Sequence, residues 1–320
     1  MKTLLWMSAV AAVCAFGQQR QVTPFVLPEE VALRKVDIMS EGTRMAGEVY
    51  RLKSLSGKKL PTIVMSHGWG GTVAGLRRDA ARFAQEGYLA VAFDYRGWGS
   101  SDSRVILTSP APAANPARRY TAEVQEVREA VDPMDMGADI LNALHWVQGE
   151  PECDTARIGL WGSSFSGGLV VYAAAHDPRV KALHSQVPAL DGRWVVATEQ
   201  ERKSTYEEST RRARGEIGYP APRAKTIGNL IGAPIRSRFV EYHPVEEVEK
   251  APQCAMQFVI AEKEELFDNK HHGVLAYSRA KGPKNLVTVP RITHYGIYYE
   301  AWDQSHKLAQ EWFDRHLRAR

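Results

Sequence analysis

Ile158-Gly159-Leu160-Trp161-Gly162-Ser163-Ser164-Phe165-Ser166-Gly167-Gly168 is the stretch whose reading decides the fold. An apolar strand-like run enters a serine flanked by small residues, and a helical pattern, Gly167 to His176, follows at once. A nucleophilic serine held on a tight strand-to-helix turn needs small neighbours on both sides, because the backbone there is crowded and strained. The helix that follows sets backbone N–H groups and positive dipole beside any negative charge that develops at the turn. With Ser164 at the centre, Gly162 stands two before and Ser166 two after; with Ser166 at the centre, Gly168 stands two after and Ser164 two before. Ser164 is the better centre, because it falls just beyond the strand and a serine is still small enough for the second crowded position. Ser163 is then a helper or a bystander. The plain alternative, a Ser/Gly turn that only caps a helix, needs no partner elsewhere in the chain.

A partner is present upstream. The β-branched run Leu60 to Ser66 ends in His67-Gly68-Trp69-Gly70-Gly71. An oxyanion site draws N–H donors from two separate turns, one after the nucleophile and one after such an earlier strand. The donors are then the backbone N–H groups of Phe165 and Trp69. Around these two turns the chain alternates buried-type strands with helices. Ala32 to Met39 and Arg44 to Leu52 read as a hairpin around Glu41-Gly42, Gly75 to Gln85 as a helix, and Leu89 to Asp94 as a strand. A Pro/Ala/Ser-rich loop (Ser101 to Ala117) precedes a helix from Met136 to Gln148, the strand Arg157 to Trp161 and the strand Val180 to Val187. After a break come the strand Met256 to Ile260, a helix around Val274 to Ala280, the strand Leu286 to Val289, and a last amphipathic helix from Tyr299 to Leu317. Continuous apolar strands separated by helices predict an α/β fold, a mostly parallel sheet covered on both faces. The charged stretch from Asp191 to about Glu249 interrupts the rhythm and reads as a helical insertion.

Composition narrows the class. The 320 residues are 44% hydrophobic and 24% charged, which fits a globular core and excludes disorder or coiled coil. A net charge of +4, with both signs interspersed, gives no basic patch for nucleic acid; Arg211-Arg212-Ala213-Arg214 is broken up by Glu207, Glu208 and Glu216. Residues 1–17, with Lys2, the short apolar run Leu4 to Phe16, and Ala15 and Gly17 before Gln18, predict a cleaved signal peptide and a secreted or periplasmic protein, residues 18–320 being its mature domain. No other segment is apolar enough to span a bilayer. With Cys14 in the signal, only Cys153 and Cys254 remain, free to pair in an oxidising compartment but no framework. There is no CxxC, HExxH or HxH, and His271-His272 point apart on a helix, so no metal is expected. Gly97-Trp98-Gly99 lacks the third glycine of a dinucleotide fingerprint, so no cofactor is expected either.

At this point the chain resembles the α/β-hydrolase superfamily, in the bacterial branch near dienelactone hydrolases and Xaa-Pro-peptidase-like serine hydrolases. The resemblance rests on Ser66 to Gly71, Phe93 to Ser101, Gly162 to Gly168, Asp177 to Ala182, Ala261 to Leu266 and Ile292 to Tyr295, which occur in the family's order across about Ala32 to Leu317. It implies a triad in the chain order serine, acid, histidine. Of the ten histidines, His145 and His176 belong to helices, and His306 and His316 to the polar side of the last helix. His184 and His243 precede the main acid candidates, His271 and His272 precede the last strand, and His67 belongs to the oxyanion turn. His294, just after the last apolar strand, stands where the family places its base. The family's acid loop carries Glu264 at the usual aspartate position, with Glu265, Asp268 and Asp191 as alternatives.

The combined expectation is a serine hydrolase that cleaves small-molecule carboxylic esters through an acyl-enzyme. The insertion would roof the site, with Trp69, Phe165, Trp194, Tyr295 and Tyr298 as candidate walls around an apolar acyl or aromatic group. A peptidase or amidase on the same scaffold is the alternative, and a catalytically silent binding protein a third. The sequence sets no oligomeric state.

Overall fold

The computed structural model describes residues 24–113, 118–224 and 230–318. The signal-like segment 1–17 lies outside the described residues. Val31–Ser40 (β1) and Thr43–Leu52 (β2) pair antiparallel, and their tight turn puts Glu41 and Gly42 at φ 48° and 87°. Two positive φ values in a two-residue turn match the right-handed twist of the flanking strands. Leu60–Ser66 (β3), Leu89–Phe93 (β4), Cys153–Ser163 (β5), Val180–Gln186 (β6), Ala255–Lys263 (β7) and Lys284–Thr293 (β8) complete one eight-stranded sheet in the order β1-β2-β4-β3-β5-β6-β7-β8. From β4 to β8 every pairing is parallel; β2 alone runs against its neighbours.

Each central strand is buried along both faces, which is why its sequence reads as an unbroken apolar run rather than an alternation. The alternation is still present, sorted between two cores. Val64, Val91, Phe93, Leu160 and Phe258 face one core, shared with Ile140 and Leu144 of Pro133–Gln148 (α2) and Leu169 and Val170 of Phe165–His176 (α3). Ile63, Met65, Ala90, Ala92 and Trp161 face the other, shared with Ala80 and Phe83 of Arg77–Gln85 (α1) and with Trp312 and Phe313 of a C-terminal helix, Trp302–Leu317. The expected mostly parallel sheet with helices on both faces is the observed architecture, the α/β-hydrolase fold.

Between β6 and β7 the chain leaves the sheet. It forms a short turn of helix at Gly192–Val195, the largely exposed helix Glu199–Ala213 (α4), and one-turn helices at Arg236–Phe239 and Pro244–Glu247. α4 begins in a capping box, Thr198 accepting from the Glu201 N–H while the Glu201 carboxylate accepts from that of Thr198. After β7 come Gly273–Arg279 (α5), β8 and the C-terminal helix, hereafter α6.

Several boundaries differ from the sequence reading. The Pro/Ala/Ser-rich loop holds a strand, Arg104–Leu107, paired antiparallel with Val124–Val127 as a separate ribbon. α2 starts earlier, at Pro133, because the Asp132 carboxylate accepts from Met134 and Asp135 N–H and caps the helix. α6 starts at Trp302, since Tyr295–Tyr298 form their own 3-10 turn. Cys153 and Cys254 are both free thiols in the core. Among the described residues no helix is long and apolar enough to cross a membrane.

Candidate active site

Ser164 sits at the junction of β5 and α3 with φ 58° and ψ −122°, a positive φ that a side-chain-bearing residue adopts only under constraint. The constraints are visible. The Ser164 N–H donates to the Gln186 carbonyl (2.9 Å), and its own carbonyl accepts from Gly167 and Ala189 N–H groups (2.9 and 3.0 Å). A Cβ on Gly162 would lie 2.4 Å from the Ser166 carbonyl oxygen, and one on Gly68 would lie 2.8 Å from that of Ser163. Those two glycines therefore let the turn close and let the earlier loop lie against it. Ser166 fits where a glycine is usual because its hydroxyl is buried in a hydrogen bond with Ser66 Oγ and accepts from Tyr95 Oη (3.3 Å).

The turn brings Ser164 to His294. The Ser164 hydroxyl donates to His294 Nε2 at 2.9 Å, and His294 Nδ1 lies 2.9 Å from both oxygens of Glu264. Both side chains of the pair are 2% exposed. A carboxylate only accepts, so Nδ1 carries the ring proton and Nε2 is left as the acceptor facing the serine. The loop ends meet because β7 and β8 pair up to Lys263↔Thr293, with an irregularity after Ala261 that sets the register.

The other acid candidates are engaged elsewhere. Glu265 Oε2 accepts from the His294 backbone N–H (2.6 Å), and Asp268 accepts from Lys270 N–H (2.9 Å). Asp191 is paired with Arg193 (2.6 Å) and His243 (3.1 Å). Burial works against the Asp191 charge, but the hydrogen bonds from His243 and Arg193 outweigh it and hold its carboxyl well below the usual carboxylate range.

Two turns border the serine. Phe165 is the first residue of α3, so its N–H has no intrahelical acceptor. The position of a Gly68 Cβ lies 3.7 Å from that nitrogen, so the loop that carries Trp69 abuts the helix start. Trp69 itself is buried, its indole donating to the Gly232 carbonyl (3.0 Å) and its ring packing on Phe165, Phe239 and Trp194. His67 is also buried, with Nδ1–H donating to the Gly68 carbonyl (3.0 Å); burial depresses its pKa despite that bond and the Asp94 charge, which keeps it neutral.

Of the candidate walls, Trp69, Phe165 and Trp194 form one aromatic cluster, while Tyr295 stacks edge-on against His294 and is 36% exposed. Two more rings belong with them and escaped the sequence reading. Phe239 packs on Trp69 and Phe165, and Phe267 packs on Trp194 and His294. Phe267 follows the acid loop by a few positions, which was the one signal that pointed to it. His272 is buried, accepting from the Leu190 N–H at 2.8 Å, with burial lowering its pKa to about 4, while His271 is exposed. Among the described residues no group of three or more His, Cys, Asp or Glu is arranged to hold a metal.

Comparison with known proteins places the chain in a family. The model of the X-Pro dipeptidyl-peptidase (S15) family matches residues 41–201. An Escherichia coli protein, described as an uncharacterized 31.7 kDa protein in the traX-finO intergenic region, is 27% identical over 291 residues, 81% of this chain and 92% of its own. The crystal structure of the hypothetical protein PA2218 from Pseudomonas aeruginosa is similar with a TM-score of 0.74 and 22% identity, covering 99% of this chain and 100% of that one. The α/β hydrolase GrgF from a Penicillium species is similar with a TM-score of 0.71 and 18% identity, over 89% of this chain and 99% of its own.

Proposed function

The chain belongs to the X-Pro dipeptidyl-peptidase (S15) family of α/β-hydrolase enzymes, and from that premise we propose that it cleaves small-molecule carboxylic esters through an acyl-enzyme. One observation carries the reading: the continuous bond line Ser164 Oγ, His294 Nε2, His294 Nδ1, Glu264, with 2.9 Å at each contact. His294 takes the Ser164 proton as Oγ attacks the ester carbonyl carbon, and the Trp69 and Phe165 N–H groups hold the resulting oxyanion. His294 then gives that proton to the leaving alcohol. In the second half-reaction it accepts a proton from water, whose oxygen attacks the acyl carbon, and returns it to Ser164 Oγ as the ester bond to the enzyme breaks. Glu264 keeps the imidazole in the tautomer this sequence requires and stabilises the imidazolium.

The described parts of residues 191–249 serve as a cap. Phe239 and Trp194 of that segment pack on Trp69, and the aromatic surroundings favour an apolar acyl or aromatic group. The signal-like residues 1–17 support work outside the cytoplasm. The family's description favours one second reading, cleavage of a peptide bond after proline by the same serine. A panel of short-chain p-nitrophenyl esters and Xaa-Pro anilides tests both. Turnover of the esters that is lost in Ser164→Ala supports the first reading; turnover of the anilides alone would replace it with the second.

A further inference from the structure

His243 lies half-buried in the cap, just after the one-turn helix Arg236–Phe239, and each of its ring nitrogens faces an oxygen that can only accept. Nδ1 is 3.1 Å from Asp191 Oδ1, and Nε2 is 2.8 Å from the Val240 carbonyl oxygen. A neutral imidazole has one N–H and can serve only one of these oxygens. Serving both takes two N–H groups, so the ring is the imidazolium. Its pKa moves in the same direction: the hydrogen bond to Asp191 raises it above the ordinary histidine value, against the effect of burial. The other charged groups around the ring are Arg193, which donates to both Asp191 oxygens, and Glu246, which accepts from Arg193 (2.8 Å). Arg279 of α5 donates to the Val245 carbonyl (3.0 Å), and His272, its pKa lowered by burial to about 4, is neutral. Glu247 and Arg238 on the flanking one-turn helices are engaged with Lys250 and Asp132.

The two acceptors belong to different arms of the cap. Asp191 caps the turn Gly192–Val195, which carries Trp194, and Val240 ends the helix that carries Phe239. Backbone bonds bring the arms side by side, Gly192 N–H donating to the Tyr242 carbonyl (2.7 Å) and Val245 N–H to that of Leu190 (3.0 Å). Phe239 is fully buried and backs Trp69, their ring centroids 5.5 Å apart. Trp194 is half-buried and lies between Trp69 (6.0 Å) and Phe267 (5.8 Å), the ring that packs on His294. Trp194 thus offers apolar surface close to His294, and the bond from His243 to Asp191 holds the turn that presents it.

We propose that His243, as the imidazolium, is a positioning residue that sets specificity: it straps the turn of Trp194 to the helix of Phe239 and so fixes Trp194 as the wall met by a medium-length acyl chain. The assignment rests on the ester-hydrolase reading. Below its pKa the ring makes both bonds. As pH rises through that value one proton leaves to solvent, one of the two bonds is lost, and the strap opens at that joint.

The test sets p-nitrophenyl hexanoate against p-nitrophenyl acetate, which share a leaving group and differ only in acyl chain. The ratio of their kcat/KM values cancels the titration of His294, which is common to both. Glutamine at 243 offers donors at one end only and phenylalanine offers none. At pH 6, His243→Gln and His243→Phe should each lower the hexanoate-to-acetate ratio by roughly 5- to 20-fold, through KM for the hexanoate, with kcat on the acetate within about two-fold of the parent. In the parent the ratio should fall towards the variants' value as pH passes the His243 pKa, measured separately by mass spectrometry of C2–H exchange; in the variants it should stay flat. Folded variants whose ratio lies within about two-fold of that of an active parent overturn the assignment alone. A His243 pKa at or below about 6.5 does the same even if neither variant folds, because such a ring is not held as the imidazolium. A parent inert on both esters would sink the hydrolase reading, and this assignment with it.

Discussion

Glu264 and Glu265 are chemically identical neighbours, and their surroundings give them different work. Glu264 presents its carboxylate to the His294 ring, while Glu265 holds the backbone N–H of the same residue. An amide at 264 would keep the shape and offer an N–H to Nδ1, which favours the wrong tautomer. Glu264→Gln should therefore lower kcat by up to about 10⁴-fold with an unchanged circular dichroism spectrum. Asp191→Asn, away from the ring and bound to Arg193 and His243, should stay within about ten-fold of the parent; the reverse ranking in kcat would move the acid to Asp191. The elbow makes a similar separation. Ser164→Ala should abolish turnover by about 10⁴-fold or more, whereas Ser166→Ala loses only a hydroxyl that bonds inside the core to Ser66 and Tyr95 and should retain most of it. A dead Ser166→Ala beside an active Ser164→Ala would place the nucleophile two residues on.

The helices that cover the sheet carry an ionic joint of their own. His306 on α6 is buried between two carboxylates of the α1 region, with Nδ1–H donating to Asp79 (3.0 Å) and Nε2–H to Glu86 (3.1 Å); Arg82 lies 3.8 Å from Glu86. Burial alone would depress its pKa, but the two carboxylates outweigh burial and raise it. The sign follows: a histidine whose folded pKa exceeds its unfolded value of about 6.5 stabilises fully below that pH, and the contribution is lost as pH rises through the folded value. Between pH 6 and pH 9 the parent should thus lose more melting temperature than His306→Gln; equal slopes would show that the joint is not ionised. Sequence periodicity had assigned His306 to the polar side of the last helix. The period was right, but it marks a face and not what covers it, and here α1 brings carboxylates to that face from far along the chain. The elbow was legible because strand, turn and helix are contiguous and each glycine answers a local contact. The Arg104–Leu107 ribbon was not, since its two short, half-exposed strands are far apart in sequence and carry no clear alternation. Gln186 and Ser305 were invisible for a related reason: neither belongs to a motif, and only the sheet order and the docking of α6 bring them beneath Ser163.

Taken whole, the molecule places every candidate catalytic group at one end of the mostly parallel sheet. Ser164 follows β5, the loop that carries Trp69 follows β3, Glu264 follows β7 and His294 follows β8, so the candidate site is assembled from strand ends that are adjacent or nearly so. That order was readable because the apolar strands are long and unbroken; the aromatic contribution of Phe239 and Phe267 was not, because it depends on how the 187–254 segment and the acid loop fold back. At the same scale we propose that the chain is exported. Protein recovered from the medium or periplasm of a native-like host should have an intact mass beginning at Gln18, and a mass beginning at Met1 would count against the signal. Ser164 is proposed as an activated nucleophile. Treating the protein with a fluorophosphonate and mapping the adduct by mass spectrometry tests this without knowledge of the substrate. One adduct is expected, on Ser164, formed at least about 10³-fold more slowly once His294 is replaced by alanine. No adduct on the folded parent, or an adduct on any other serine, would contradict it.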